Sequence, residues 1–179
     1  MTLPEGIERV LFTEEQVAAR VIEVAAEIDR KYQGRHLKLI GVLKGSVFFL
    51  TALARALTIP VTIDFLAISS FGGHVPARGM VRIAKDLDDP IEDEDVLLVE
   101  DIVDTGFTTR YLLQTLAGRG PRSLGICTLL DRNVRRIVQV PVDFRCFEIP
   151  DRFVVGCGLD YRQLYRNLGC IAVMNPDRQ

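Results

Sequence analysis

The chain has 179 residues, a length typical of a single domain that can bury a hydrophobic core without disulfides or a structural metal. Hydrophobic residues make up 48% and charged residues 26% of the sequence, and these values exclude a disordered chain. The net charge of −2 excludes a protein that attracts nucleic acid through a general positive field.

Cysteine and histidine are too few and too scattered to suggest a metal site. The sequence has 2 histidines and 4 cysteines, and no two cysteines are spaced as CxxC. We expect Cys127, Cys146, Cys157 and Cys170 to be buried or incidental thiols of a reducing compartment. The first residues lack the pattern of a secretion signal, and no apolar run approaches the roughly 20 residues that span a bilayer. The sequence therefore predicts a cytoplasmic protein with no membrane partner.

The first predicted element is an amphipathic helix. Residues 14–32 place apolar side chains at helical spacing. Thr13 followed by Gln16 forms a capping box at the start of this segment, and Gly34 is a stop signal after it.

The elements that follow alternate between short apolar strands and helices. Strands are predicted over residues 37–43, 61–68, 95–99 and 124–130, and helices over 46–57 and 108–117. This alternation predicts an α/β fold with a central, mostly parallel sheet flanked by helices. The strand-like pieces after Pro141, at 142–147, 153–155 and 171–173, are expected to build a small appendage instead of extending the sheet.

The segment VLLVEDIVDTGFTT, residues 96–109, carries the strongest chemical signal in the sequence. A buried strand leads into Glu100 and Asp101, and Asp104 precedes Gly106 and the start of a helix. Free N–H groups at a helix N-terminus bind phosphate, but carboxylates beside them would repel it unless they faced hydroxyl groups or Mg²⁺. A sugar phosphate with neighbouring hydroxyl groups meets both requirements. The alternative is that these acids are solvated loop residues or favourable charges at the start of the helix.

The same segment resembles the phosphoribosyl-pyrophosphate motif of the type I phosphoribosyltransferases, and the chain is similar to the bacterial hypoxanthine-guanine phosphoribosyltransferases among them. The resemblance runs from about residue 7 to 173 through IGVLKGSVFF, DFLAISSFGG, CTLLDRN, FEIPDRFVVGCGLDY and YRNL. It implies the type I phosphoribosyltransferase fold in one domain, with a core over about 35–140 and a hood from about 1–12 and 142–179. It also implies a Mg²⁺-dependent purine salvage transferase that converts hypoxanthine or guanine and phosphoribosyl pyrophosphate to IMP or GMP and pyrophosphate.

The resemblance assigns roles within the acidic segment. Glu100 and Asp101 would hold the ribose hydroxyls directly or through Mg²⁺, and Asp104 would be the base that takes the N7 proton of the purine. The residues that would cradle the 5′-phosphate are Asp104, Thr105, Gly106, Phe107, Thr108 and Thr109.

The resemblance places pyrophosphate against Lys44, Gly45 and Arg166, and a second Mg²⁺ or its waters against Asp160. In this family the peptide bond before the lysine can be cis. The alternatives are that Lys44 is a solvated residue at a strand end and that Arg166 is a surface residue on a short helix.

The purine is expected to stack on Phe153 and to contact the backbone of Val154. Arg132 stands where the family usually has a lysine that reaches the purine 6-oxo group. A guanidinium is still a cationic donor, so a 6-oxopurine is favoured over a 6-aminopurine, but the order of hypoxanthine, guanine and xanthine stays open. The alternatives are a core position for Phe153 and a solvated position for Arg132 in the cluster RNVRR.

Residues 69–79 are rich in Gly, Ser and Pro and are long for a plain connection, and they resemble the mobile lid of the family. Ser70 and Phe71 stand where the family usually has Ser-Tyr, so one hydroxyl group is missing. The alternative is an exposed, merely flexible turn.

Other functions and assemblies remain open. A regulator that binds nucleotide and RNA on the same fold is disfavoured because the sequence has no basic stripe, and a transferase for another base such as xanthine is a closer alternative. The implied partners are small molecules, namely phosphoribosyl pyrophosphate, a 6-oxopurine base and the nucleotide product, with no nucleic acid. The resemblance implies a homodimer or homotetramer, in which Arg135 and Arg136 could be interface or plain surface residues.

Overall fold

A computed structural model describes residues 6–70 and 81–175 of the chain. Its helices and strands are, in chain order, β1 (Ile7–Phe12), α1 (Glu14–Lys31), β2 (Leu37–Leu43), α2 (Ser46–Ala56), β3 (Val61–Ser70), β4 (Val81–Lys85), β5 (Asp95–Val103), α3 (Phe107–Ala117), β6 (Ser123–Asp131), β7 (Phe144–Glu148), β8 (Val154–Val155) and β9 (Ile171–Met174). A 3-10 turn, Asn133–Arg135, follows β6.

Six strands form the central sheet in the order β4-β3-β2-β5-β6-β7. All neighbours in it are parallel except β3 and β4. Residues of β2 and β5 alternate between two apolar clusters: Leu39 and Leu97 pack with α1 and α2, whereas Ile40 and Leu98 pack with α3. The prediction of an α/β fold with a mostly parallel sheet is confirmed, because both faces of the sheet are covered by helices.

The predicted start of α1 is also confirmed. Thr13 accepts a hydrogen bond from the N–H of Gln16, and the Gln16 side chain accepts one from the N–H of Thr13. This reciprocal pair satisfies two N–H groups that the helix itself cannot. The helix ends at Lys31, one residue before the predicted end, and Gly34 follows with a φ of 73°.

A second sheet of three strands has the order β1-β9-β8, with both pairs antiparallel. Two of its strands were predicted as parts of an appendage, and β1 was not predicted as a strand. The prediction is wrong for the first piece after Pro141, because β7 pairs with β6 in parallel and extends the central sheet. The pairing of Cys127 with Phe144 begins this extension.

Two strands, β3 and β5, end two or more residues later than predicted. The strand β5 continues through Glu100 and Asp101 to Val103, since its pairing with β6 does not stop at the acidic residues. The strand β3 reaches Ser70 and pairs with β4, so the first two residues of the proposed lid belong to a strand and not to a loop. The rest of the lid prediction, including Phe71, lies outside the described residues.

No helix in the two described ranges is long and apolar enough to cross a membrane. The four cysteines are free thiols, of which Cys127 and Cys146 are buried. Burial raises the pKa of the Cys146 thiol to about 12 and that of the Cys157 thiol to about 11.

We expect Cys157 to react slowly with iodoacetamide at pH 7.5, because the thiolate is the reactive form and the pKa of this thiol is raised to about 11. Its alkylation should be at least tenfold slower than that of free cysteine in the same solution, as measured by peptide mass spectrometry over time. Alkylation at the rate of free cysteine would contradict the burial of this side chain.

Candidate active site

Two adjoining cavities lie at the carboxyl ends of the parallel strands, where open α/β sheets bind ligands. The first has a volume of about 290 Å³ and lies between the end of β2, the end of β5 and the start of α3. The second has a volume of about 240 Å³ and adds residues from β6 and from the segment around β8. Both are lined by Asp101, Ile102 and Asp104, so two carboxylates form the wall that the cavities share.

The first cavity is closed by the turn between β5 and α3. Gly106 caps α3 with a φ of 89°, and a Cβ atom there would lie 2.2 Å from the carbonyl oxygen of Val138. This backbone therefore requires glycine. The N–H groups of the first turn have no partner within the helix and lie beside the cavity lined by Thr105, Thr108 and Thr109. The arrangement can bind an anion.

The side chains of the predicted phosphate cradle differ in their exposure to solvent. The side chain of Thr109 is buried, whereas Phe107 is 54% exposed and does not line either cavity. Phe107 can therefore contribute only its backbone N–H to a bound anion, while the neighbouring threonines also present side chains to the first cavity.

Glu100 and Asp101 place two adjacent carboxyl groups in a buried position. Glu100 is only 5% exposed. Burial raises the pKa of Glu100 well above its usual value, and the neighbouring charge of Asp101 adds to the rise. Burial also raises the pKa of Asp101, while its hydrogen bond from the N–H of Ile102 at 2.9 Å acts in the opposite direction. A bound cation would stabilise both groups as carboxylates.

The donor set fits Mg²⁺ that is held mainly by substrate oxygens. Within residues 6–70 and 81–175 no group of three or more potential ligand side chains forms a ready-made cage. Mg²⁺ commonly binds through one or two carboxylates and completes its shell with water and phosphate oxygens. Glu100 and Asp101 meet that requirement. Asp160 lies at the second cavity, where it forms an ion pair with Arg166 at 2.6 Å.

The loop after β2 approaches the acidic strand closely. The Leu43–Lys44 peptide bond is cis, and Gly45 lies against Asp101. A Cβ atom at Gly45 would lie 1.6 Å from an Asp101 carboxylate oxygen, so a side chain at this position would displace that acid. The N–H groups after Lys44 are thereby held next to the carboxylates of β5.

Asp104 lies between two guanidinium groups. Its Oδ2 atom is 3.3 Å from Arg132 and 3.9 Å from Arg135. Its Oδ1 atom is buried and has no hydrogen-bond partner among the described residues. One carboxylate oxygen is thus held by cations, and the other is available to a ligand in the wall between the two cavities.

A buried arginine that was not predicted supports the backbone of this loop. Arg136 donates to the carbonyl oxygens of Asp104 at 2.9 Å and Val103 at 3.4 Å, and it pairs with the buried Asp131. Arg136 was expected at the surface or in an interface, and this expectation is wrong because its side chain is only 4% exposed. Its place in RNVRR is visible in the sequence, but the pairing with Asp131 is not.

The second cavity combines an aromatic ring, a cation and a strand edge. Phe153 is 41% exposed and meets Tyr161 edge-on at 5.8 Å, which excludes the core alternative for Phe153. Val154 is buried at the start of β8. Arg132 is buried, donates to the carbonyl oxygen of Arg152 at 2.7 Å and lines the cavity, so it is not a solvated surface residue.

A cluster of polar side chains lies next to Asp160, which lines the second cavity. Lys44 and Arg166 both donate to the side-chain oxygen of Gln163, at 3.4 Å and 3.3 Å. Arg166 is 19% exposed and donates to the carbonyl oxygen of Gly158 at 2.6 Å, so it is neither on a helix nor free at the surface. Gln163 was not among the predicted site residues, because nothing in the sequence indicates that it lies near Lys44.

Gly158 is a third unpredicted residue of the site, after Arg136 and Gln163. Its φ is 100°, and a Cβ atom there would lie 1.9 Å from the carbonyl oxygen of Gly45. Two glycines from distant parts of the chain therefore allow their backbones to touch.

The two cavities are lined by all the predicted site residues of the described ranges except Lys44, Arg166, Phe107 and Ser70. Arg166 lies beside the second cavity through its ion pair with Asp160, Lys44 reaches Gln163, and the side chain of Ser70 is not described.

Comparisons with known proteins agree with this geometry. A family model described as "Phosphoribosyl transferase domain" matches residues 11–162. The chain is 46% identical to the hypoxanthine-guanine phosphoribosyltransferase of Mycobacterium avium, covering 97% of this chain and 88% of that protein. It is 47% identical to the hypoxanthine phosphoribosyltransferase of Haemophilus influenzae, covering 90% and 92%. The crystal structure of a hypoxanthine phosphoribosyltransferase from Staphylococcus aureus superposes with a TM-score of 0.92 at 41% identity, covering 96% of this chain and 94% of that one.

Proposed function

Because the chain belongs to the phosphoribosyltransferase family, we propose that its two adjoining cavities bind the two substrates of a purine salvage reaction. The enzyme converts hypoxanthine or guanine and 5-phosphoribosyl 1-pyrophosphate to IMP or GMP and pyrophosphate. The observation that carries the assignment of the site is the shared wall of Asp101 and Asp104, which separates an amide-lined cavity from one with an aromatic ring and a guanidinium.

In this proposal the first cavity holds the ribose phosphate. The N–H groups of residues 105–109 and the hydroxyl groups of Thr105, Thr108 and Thr109 bind the 5′-phosphate. Glu100 and Asp101 bind the ribose hydroxyls. Lys44, the N–H groups around Gly45, and Arg166 bind pyrophosphate, since cations and free amides are the groups that stabilise a phosphate leaving group.

The second cavity holds the purine. The base stacks on the exposed ring of Phe153, and the backbone at Val154 contacts its edge. Arg132 donates a hydrogen bond to the 6-oxo group, and a 6-amino group could not accept this hydrogen bond. The base then lies beside Asp104, whose Oδ1 atom has no other partner among the described residues.

Transfer breaks the bond between ribose C1 and the pyrophosphate oxygen and forms a bond from C1 to purine N9. Asp104 takes the proton from N7 as N9 attacks, and the electron pair of the broken bond leaves with pyrophosphate. The positive charge that develops on the ribose is stabilised by the surrounding carboxylates, and the charge on the leaving group by Lys44 and Arg166. Mg²⁺, held by Glu100, Asp101 and Asp160 together with substrate oxygens, would supply further neutralisation of the pyrophosphate charge.

We also propose that the enzyme is cytoplasmic, which its four free thiols support.

We propose that the enzyme assembles as a homodimer or homotetramer. An apolar hollow of about 400 Å³ on the outer face of α2, with Phe48 43% exposed, supports this assembly. The smaller sheet supports the proposed hood over the core. Because β7 belongs to the central sheet, the C-terminal part of the hood begins after β7 and not at residue 142.

The direct test is product formation with hypoxanthine, guanine, xanthine and adenine side by side, each with phosphoribosyl pyrophosphate and Mg²⁺. We expect nucleotide from hypoxanthine or guanine and none from adenine, and we expect EDTA to stop the reaction. Equal turnover of adenine would contradict the role of Arg132, and no turnover of any base would contradict the function.

Replacing Arg132 with alanine should raise the KM for the purine at least tenfold and change the KM for phosphoribosyl pyrophosphate much less. A charge-assisted hydrogen bond to the 6-oxo group contributes about 1.5–3 kcal/mol, and a tenfold change corresponds to about 1.4 kcal/mol. Steady-state kinetics with both substrates varied measures the two constants, and Arg132→Lys should retain part of the purine affinity. An unchanged purine KM in Arg132→Ala would remove this residue from the base site.

A further inference from the structure

Three consecutive carbonyl groups at the turn between β5 and α3 accept hydrogen bonds from the segment that follows β6. The guanidinium of Arg136 donates to the carbonyl oxygen of Asp104 at 2.9 Å and to that of Val103 at 3.4 Å. The carbonyl oxygen of Thr105 accepts from the N–H groups of residues 137 and 138, at 3.0 Å and 2.9 Å. All three carbonyl groups are therefore held on the same side of the turn.

These contacts determine where the N–H groups of the turn point. The peptide bonds here are trans, and in a trans peptide unit the C=O and the N–H point in opposite directions. The N–H groups of the three units belong to Asp104, Thr105 and Gly106, and they donate no hydrogen bond to any residue that the structure describes. These residues line the first cavity, whereas residues 132–138 do not. Three unpaired donors thus lie on the ligand side of the turn.

The side chain of Arg136 is fixed behind the turn. It is only 4% exposed and pairs with Asp131, which is also 4% exposed. A Cβ atom at Gly106 would lie 3.0 Å from the Cδ atom of Arg136, so this side chain packs directly against the turn. Because Arg136 does not line the first cavity, any effect that it has on a ligand there must pass through the backbone.

We propose that Arg136 is a positioning residue for the 5′-phosphate, whose guanidinium holds the carbonyl groups of Val103 and Asp104 away from the ligand so that the N–H groups of the turn face it. The inference rests on the proposed function, in which this turn binds the 5′-phosphate. If the peptide unit after Asp104 turned over, the negative end of its dipole would face the phosphate and repel it.

A guanidinium is suited to this role. It presents several N–H donors in one plane and in fixed directions, so one side chain holds two carbonyl groups and the Asp131 carboxylate at the same time. The ammonium of a lysine is a single point with rotating donors and cannot span the three acceptors in this way.

The test compares the affinity for ligands with a 5′-phosphate and for the purine base, which has none. Arg136→Met keeps the apolar part of the side chain and removes the donors. We expect the KM for phosphoribosyl pyrophosphate and the inhibition constant of IMP to rise at least tenfold, while the KM for hypoxanthine stays within about threefold. Steady-state kinetics measures all three constants. A loss of folding in general would not separate the phosphate from the base.

A second variant guards against misfolding, because Arg136→Met leaves the buried Asp131 without its buried partner. The double variant Arg136→Met/Asp131→Asn removes both charges of the pair. It should show the same rise for phosphoribosyl pyrophosphate and IMP, since the rise depends on the lost donors and not on an unpaired acid.

The matched control is Arg145→Met. Arg145 also pairs with Asp131, at 3.1 Å, but its other ion pair is with Glu148 and it does not contact the turn. Its three constants should stay within about threefold of the original values.

The inference is overturned if both Arg136 variants bind IMP within threefold of the unaltered enzyme. It is also overturned if the KM for hypoxanthine rises as much as the inhibition constant of IMP, because Arg136 would then support the whole site and not the phosphate turn. Either result with an active unaltered enzyme overturns the inference alone, whereas an unaltered enzyme without turnover overturns the proposed function.

Discussion

Asp104→Asn should bind phosphoribosyl pyrophosphate almost normally and lose most of its turnover. The substitution keeps the size of the side chain and its hydrogen bonds from Arg132, but an amide cannot take the N7 proton. A positioned base contributes about 10²–10⁴-fold to rate, so kcat should fall at least hundredfold while the KM for phosphoribosyl pyrophosphate stays within about threefold. Steady-state kinetics with hypoxanthine and with guanine measures both constants.

The matched control is Asp151→Asn. Asp151 pairs with Arg135 at 3.5 Å, as Asp104 does at 3.9 Å, but it lines neither cavity. Its substitution removes one negative charge from the same cluster without removing the base, and kcat should stay near its original value. If Asp104→Asn retains kcat within about threefold, another group takes the proton and the assignment of Asp104 is wrong.

Gly158→Ala should damage both stability and the leaving-group site. A Cβ atom at this position would meet the carbonyl oxygen of Gly45 at 1.9 Å, and the φ of 100° is unfavourable for any residue with a side chain. The backbone fixes the position of a Cβ atom, so its clash with a carbonyl oxygen cannot be relieved by rotating a side chain, and the two loops must separate. We expect the free energy of unfolding to fall by about 3 kcal/mol or more and the melting temperature to fall by about 6–12 °C. The KM for phosphoribosyl pyrophosphate should rise at least tenfold.

Gly34→Ala separates the two causes of this effect. Gly34 also has a positive φ, 73°, but a Cβ atom there would meet nothing within 4 Å. Its substitution should lower the free energy of unfolding only by the cost of placing a Cβ atom in a left-handed conformation, about 1–2 kcal/mol, and should leave the kinetic constants unchanged. If the two alanine variants melt at the same temperature and have the same KM for phosphoribosyl pyrophosphate, the contact between Gly158 and Gly45 does not support the site.

Most of the central fold could be predicted because its strands and helices have local patterns. The apolar strand β2 and the capping box of α1 are examples in which neighbouring residues determine the element. Prediction of β5 stopped too early because Glu100 and Asp101 interrupt the apolar run, whereas the strand continues through its pairing with β6. The strands β1, β4 and β7 are short, and β1 pairs with β9 from the other end of the described chain, so no local pattern indicates where β1 pairs.

The residues of the candidate site also differ in whether a local sequence pattern identifies them. The acidic segment could be interpreted because its carboxylates, glycine and threonines follow one another in the chain. Gln163 and Arg136 could not, since their importance comes from contacts with Lys44 and Asp131 that only the folded chain creates. Gly158 lies within the recognisable segment FEIPDRFVVGCGLDY, but its contact with Gly45 depends on the packing of two loops.

The order of the smaller sheet has a consequence for how the protein is made. Its middle strand is β9, which joins β1 from the beginning of the chain to β8 beside the purine cavity. During translation, β1 and β8 both leave the ribosome before β9 and have no partner in this sheet until Met174 emerges. The parallel strands and helices of the larger sheet can assemble earlier on the nascent chain. The polypeptide therefore acquires its complete base-binding surface only after β9 has been synthesised.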